Sequence, residues 1–114
     1  MGNRAVLCLR DNKEQGFDVS AVGIYLHWNG SPGQVAYYLE QTRKVMEGRS
    51  GDYEYAKARL IGVINNEIEG NLSLGVGIVG QMDYDNSDNG TYVIDCSNLT
   101  VTTHIDIKYV VKEK

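Results

Sequence analysis

The residues that could do chemistry gather in two places. His27, Trp28 and Asn29 meet in IYLHWNGSPGQVAYYLE (24–40), where an alternating apolar segment gives way to a helical one. The second place is GQMDYDNSDNG (80–90), which holds Asp83, Asp85 and Asp88 beside Asn86 and Asn89. Carboxylates at that density point to calcium, and Asp85, Ser87, Asn89 and Gly90 match the front of an EF-hand loop. The bidentate glutamate of such a loop would fall where Cys96 stands, and the flanking segments read as strands rather than helices. A hydrated turn built on Asx hydrogen bonds accounts for the same residues more simply. Between the two, Asn and Asp side chains could hydrogen-bond a ribose or a base edge.

His27 and His104 are the two histidines, and neither has cysteine or carboxylate partners at metal-ligand spacing. No nucleophile elbow, zincin, phosphate-loop or dinucleotide-binding motif is present. Arg59, in YAKARLIG, stands one step before the apolar Leu60, where it could edge the sheet and hold a phosphate through its guanidinium fork. An ordinary solvated helix arginine is the plainer account.

The elements that must position these residues follow from periodicity. RAVLCLR (4–10) reads as a strand, and DNKEQGFD (11–18) as a hairpin loop. In SAVGIYLHWN, Val22, Ile24, Leu26 and Trp28 share one face, which places Trp28 in the core and His27 on the opposite side. Ser31 with Gln34 forms a capping box, and Pro32 takes the first helical position. Val35, Leu39, Thr42 and Met46 then give a buried stripe, and Gly48 ends the helix. Asp52 caps a second helix whose apolar face is Tyr53, Ala56, Leu60, Val63, Ile64 and Ile68. Gly62 inside it implies a close helix or sheet contact. In LSLGVGIV (72–79), Leu72, Leu74, Val76 and Ile78 face one way and the nearly bare Ser73, Gly75 and Gly77 the other. Such a glycine face implies close approach by a ligand, an aromatic ring or another backbone. Asn89-Gly90 reads as a hairpin turn, and TYVIDC and LTVTTHIDIKYVV follow as strands. The expected fold is α+β: an antiparallel sheet with two consecutive helices on one face, in the order β-β-α-α-β-β-β, as one domain over 1–114.

At 114 residues and 42% apolar composition, the chain can fold unaided. A net charge of -4 argues against general DNA binding. No apolar run reaches the length of a membrane span, the N-terminus lacks a signal-peptide core, and Cys8 and Cys96 form no disulfide framework. A reducing cytosol is the expected setting.

IYLHWNG before a capped helix, ARL in the second helix, GNLSLGV as a strand and DNSDNGTYVI as turn and strand resemble a family of small phage and prophage proteins, the Thoeris anti-defence sponges. The resemblance runs from about residue 24 to residue 94. It implies a counter-defence protein that binds and sequesters a cyclic ADP-ribose type of signal without cleaving it, in the cytoplasm of an infected bacterium. It implies oligomers built from dimers and recognition without enzymatic activity; no cofactor and no metal are expected. Carried onto this chain, the ligand contacts it implies are His27, Arg59 and, in the 82–89 loop, Met82, Tyr84, Asp88 and Asn89. Two other classes stand beside it: a protein-binding inhibitor of a bacterial defence complex, such as an anti-CRISPR, and a phage accessory domain with no ligand.

Overall fold

The computed structural model describes residues 3–49, 51–67, 74–84, 86 and 88–105. Its elements run β1 (Ala5–Arg10), β2 (Val22–Leu26), α1 (Pro32–Val45), α2 (Tyr53–Glu67), β3 (Leu74–Ile78), a single 3-10 turn (Val79–Gln81), β4 (Thr91–Asp95) and β5 (Thr100–Ile105). The fold is α+β, in the expected order. The starts expected for the third strand at Leu72 and Ser73, Ile68 of the second helix, and the last strand beyond Ile105 lie outside the described residues.

The five strands form one sheet in the order β3-β2-β1-β4-β5. It is mixed rather than wholly antiparallel, because β1 pairs β4 in parallel, Val6 opposite Thr91 and Leu9 opposite Ile94. This overturns the hairpin expected at Asn89-Gly90. β3 lies at the edge of the sheet, and β4 lies on the far side of both β2 and β1. Since β3 and β4 run in the same direction, residues 79–90 must return along the length of the sheet, as any parallel connection must. Gly90, at φ +72°, closes that crossover onto β1, where the Val6 N–H donates to its carbonyl at 2.9 Å.

Pleat alternation in β1 divides its side chains between two cores. Ala5, Leu7 and Leu9 join Ile24, Leu26, Tyr92 and Ile94 under the helices. α1 and its C-cap contribute Val35, Tyr38, Leu39 and Met46, the expected stripe with Tyr38 joined to it, and α2 contributes Ala56, Leu60 and Ile64; Tyr53, expected on the same face of α2, is exposed instead, and Val63 is half-buried. Val6, Cys8 and Val93 point the other way and are covered by Ala21 and Val79, with Tyr25, Met82 and Ile105 packed around them. The crossover, not a helix, therefore closes the second face.

The corner at 27–31 is structural. Asn29 takes a left-handed φ of 62°, and the Gly30 N–H donates to the Asn3 carbonyl at 2.9 Å. A side chain at Gly30 would stand 2.6 Å from Ala5 Cβ and 2.8 Å from the Asn3 carbonyl oxygen, so only glycine fits. Tyr92 donates its hydroxyl to the Gly30 carbonyl at 2.9 Å. Ser31 accepts from the Gln34 N–H at 3.4 Å, and Pro32 opens α1 as expected. Gln34 completes no reciprocal box; its amide donates to the Tyr38 hydroxyl at 3.4 Å.

Trp28 is not in the core. Its side chain is 46% exposed, with its ring edge-on to His27 at 5.2 Å. β2 ends at Leu26 and the backbone bends through His27 and Trp28, so the alternation that would have buried Trp28 stops before reaching it. Gly62 also departs from expectation. A side chain there would meet nothing within 4 Å, so no close contact among the described residues accounts for it.

Candidate functional site

Along the sheet edge, β2 and β3 pair so that Gly23 lies opposite Gly77 and Tyr25 opposite Gly75. All four face the crossover side. After β3 the 3-10 turn folds over this face, held by the Val79 N–H to the Ala21 carbonyl (2.9 Å) and the Gly80 N–H to the Val19 carbonyl (2.7 Å). That turn drops Met82 onto the glycine pair. A methyl placed on Gly23 would reach Val79 Cγ2 at 2.7 Å and Met82 Sδ at 3.1 Å, and one on Gly77 would meet Met82 Cε at 3.6 Å. Above Gly75 there is room: among the described residues, Tyr25 Cβ at 3.9 Å is the one heavy atom a side chain there would meet within 4 Å.

The result is an open cleft of about 410 Å³ with a glycine floor, lined by Tyr25, Gly75, Gly77, Gln81, Met82 and Asp83 together with Val76 and Ile78 of β3. That volume lies within the range of small-molecule sites. Its surface is a phenol ring, a thioether and bare backbone, with one amide and one carboxylate at the rim.

The rim is fixed from below by Arg4. Its Nε donates to Asp88 Oδ2 at 2.7 Å, its Nη1 to Asp83 Oδ2 at 3.1 Å and its Nη2 to the Asn86 carbonyl at 2.7 Å. Hydrogen bonding to Asp88, partly opposed by desolvation, raises the Arg4 pKa further above its ordinary value. Asn86 is buried and knots the loop to itself. Its Nδ2 donates to the carbonyls of Asp83 (2.9 Å) and Gly90 (3.1 Å), and its Oδ1 accepts from the N–H groups of Asp88 (3.1 Å) and Gly90 (3.0 Å). Burial pushes the Tyr25 hydroxyl above its ordinary pKa, with Arg4 opposing and Asp83 and Asp88 adding to the rise. The neutral phenol lies 2.9 Å from His27 Nδ1 and donates to it when the imidazole carries its proton on Nε2.

The six residues expected at a ligand do not converge. Met82 lines the cleft. His27 is exposed and touches the cleft through the Tyr25 hydroxyl alone. Tyr84 turns away to pack against Phe17, ring centroids 5.7 Å apart. Asp88 serves Arg4, and Asn89 donates to Asn3 Oδ1 at 2.6 Å and to the Arg4 carbonyl at 3.2 Å. Arg59 is on the helix side of the sheet, stacked 4.6 Å from the centroid of the Tyr55 ring and donating to its hydroxyl at 3.0 Å. Arg59 borders a separate groove of about 280 Å³ with Val45, Gly62 and Asn66. Within one chain, Arg59 therefore stands on the opposite side of the sheet from Met82. Of the calcium reading's donors, Asp85 and Ser87 lie outside the described residues, and Asp83 and Asp88 are engaged by Arg4.

Sequence reasoning flagged the glycine face but missed Tyr25, Gln81 and Asp83 as its neighbours. Alternation does put Tyr25 on the same face as Gly23. What it cannot supply is the register that sets Tyr25 opposite Gly75. No family model matches the chain, and neither a curated protein nor a solved structure matches it.

Proposed function

We propose that this protein is a binding module that holds a small molecule in the β3 cleft and releases it unchanged. Following the resemblance of its motifs, we take the ligand to be a cyclic nucleotide signal of the cyclic ADP-ribose type, and the role to be phage counter-defence by sequestration in the host cytoplasm. The observation that carries this reading is the cleft itself: an open floor at Gly75 between Tyr25 and the Met82 that lies over Gly77, with Gln81 and Asp83 at the rim. A flat ring can lie on exposed backbone where side chains would exclude it, and stacking of a base on an aromatic side chain is worth about 1–3 kcal/mol. Beside the cleft, Arg4, Asp83, Asn86 and Asp88 serve the loop's own hydrogen bonds.

Isothermal titration with cyclic ADP-ribose isomers tests the reading. Heat of binding is expected, with intact ligand recovered after the protein is denatured. No heat with any cyclic nucleotide would overturn it, and loss of intact ligand would mark an enzyme instead. Native mass spectrometry reports whether the binding unit is an oligomer built from dimers.

One observation favours a second reading, inhibition of a host protein. β3 is an edge strand without charge, and its Val76 (52% exposed) and Ile78 (40% exposed) lie open beside Val22. Uncharged edges of this kind pair readily with another chain. Stoichiometric capture of one host protein from a bacterial lysate, with no retained small molecule, would favour it.

A further inference from the structure

The charges around the cleft bear on which part of a ligand it can take. Its lining carries one charged side chain, Asp83, and that charge is negative. The guanidinium beneath the rim, Arg4, already donates to Asp83, Asp88 and the Asn86 carbonyl. Arg59 is across the sheet, stacked on Tyr55. A phosphate in the cleft would face a carboxylate with its countercharge taken, which is repulsive at close range. A planar ring with N–H groups at its edge meets the opposite situation. The floor offers open backbone at Gly75, the walls offer Tyr25 and the Met82 that lies over Gly77, and an ionised carboxylate is an acceptor with lone pairs to spare. Arg4 occupies Asp83 Oδ2, and Oδ1 accepts no hydrogen bond among the described residues.

We propose that the cleft takes the purine ring of its ligand and leaves the phosphates outside, with Asp83 accepting hydrogen bonds from the ring's amino edge. This rests on the reading of the cleft as the ligand site, and it names the recognised group as an amino-bearing purine and Asp83 as the residue that selects it. Gln81 supplies a second polar contact at the same rim.

The test is a nuclear magnetic resonance titration of the full chain, following the assigned Gly75 and Gly77 amides. The probes are adenosine, guanosine, purine riboside (which lacks the amino group), adenosine 5′-monophosphate and cyclic ADP-ribose isomers. Adenosine or guanosine should shift both glycine amides. Purine riboside should bind about tenfold more weakly, the loss of a hydrogen bond to a charged acceptor, and the 5′-phosphate should weaken binding relative to adenosine. Asp83→Asn should shrink both differences. This variant keeps the Arg4 bonds to Asp88 and the Asn86 carbonyl, so the loop stays anchored. Gly75→Val, which fills the floor, should abolish the shift at Gly77. Nucleosides that leave Gly75 and Gly77 unmoved would overturn the proposal, as would a 5′-phosphate that strengthens binding or an Asp83→Asn variant with unchanged preferences. Cyclic ADP-ribose that binds but moves residues around Arg59 and Gly62 would overturn this proposal and the choice of the β3 cleft, and leave sequestration of the signal standing at another site. Nucleosides that shift the glycines while no cyclic ligand binds would do the reverse.

Discussion

Under the helices, Val35, Tyr38, Leu39, Ala56, Leu60 and Ile64 share one apolar core with Leu7, Leu9, Ile24, Leu26 and Ile94. On the other face, a smaller apolar set of Val6, Cys8, Ala21, Val79 and Val93 is covered by the crossover that Arg4, Asn86 and Asp88 hold down. One face is closed by area removed from water. The other is closed by a few directional bonds around a glycine-lined edge. Apolar burial tolerates small movements, whereas a loop fixed by hydrogen bonds can be precise at its rim and still leave a cleft open beside it. That difference places the candidate site on the crossover face, and the predictions below probe it from the largest expected effect to the smallest.

Leu60 is fully buried at the centre of the helix-side core. Leu60→Ala should cost about 2–5 kcal/mol of stability, the range for a core leucine whose cavity closes only in part. Urea denaturation followed by circular dichroism measures it. A cost below about 1 kcal/mol would mean that the helix layer is not the main source of stability, and the contrast between faces would fail.

Asn86 is the corresponding residue of the crossover. Asn86→Ala removes the acceptor of the buried Gly90 N–H and one of the two donors to its carbonyl, which keeps the Val6 N–H, with an expected cost of about 1–3 kcal/mol. Hydrogen exchange should show where the cost falls. Protection should drop in the loop and at Thr91, while Leu60 and Ile64 keep theirs. Loss spread evenly over α2 would show that the two faces open as one unit.

The two cysteines place one reporter on each face. Cys8 belongs to the crossover-side cluster and Cys96 to the helix-side one, and both are buried. Burial raises both thiol pKa values, that of Cys96 to about 12. A raised folded pKa contributes stability that is fully present below the unfolded thiol pKa. It is lost as pH climbs from there through the folded value, so alkaline conditions should loosen both faces, beginning near pH 9. Near neutral pH neither thiol should react without opening. With single-cysteine variants and a thiol-specific reagent, Cys8 should label about tenfold faster than Cys96, equivalent to about 1.4 kcal/mol less opening free energy on the crossover side. Equal rates would remove the distinction between the faces.

What could be read from the sequence divides along the same line. Val35, Leu39 and Thr42 announced the face of α1, Ser31 and Pro32 announced its start, and Ala56, Leu60 and Ile64 announced α2. All depend on neighbours within a turn or two of helix, so periodicity suffices. The crossover face depends on partners far apart in sequence. Arg4 meets Asp83 and Asp88 across 79 and 84 positions, and Tyr25 meets Gly75 only through strand register. No local pattern encodes those pairings. The aspartates and asparagines of the loop could therefore be read as an Asx-bonded turn, but not as the partners of Arg4. Trp28 misled in a related way, because alternation does not announce where a strand stops.

The smallest effects are expected at two glycines, and they separate structure from ligand most cleanly. Gly62 in α2 and Gly75 in β3 both have space for a methyl group. Glycine inside a helix or strand costs roughly 0.5–1 kcal/mol relative to alanine, so both Gly62→Ala and Gly75→Ala should raise the stability of the free protein by about that much. On packing grounds alone the two substitutions are alike. If the cleft is the ligand site, they part company on binding: Gly75→Ala crowds the floor beside Tyr25 and should weaken the ligand, while Gly62→Ala, across the sheet, should leave affinity unchanged. A stabilised Gly75→Ala with undiminished affinity would show that the bare strand is not kept bare for a ligand. A stabilised Gly62→Ala that loses binding would move the site to the groove beside Arg59.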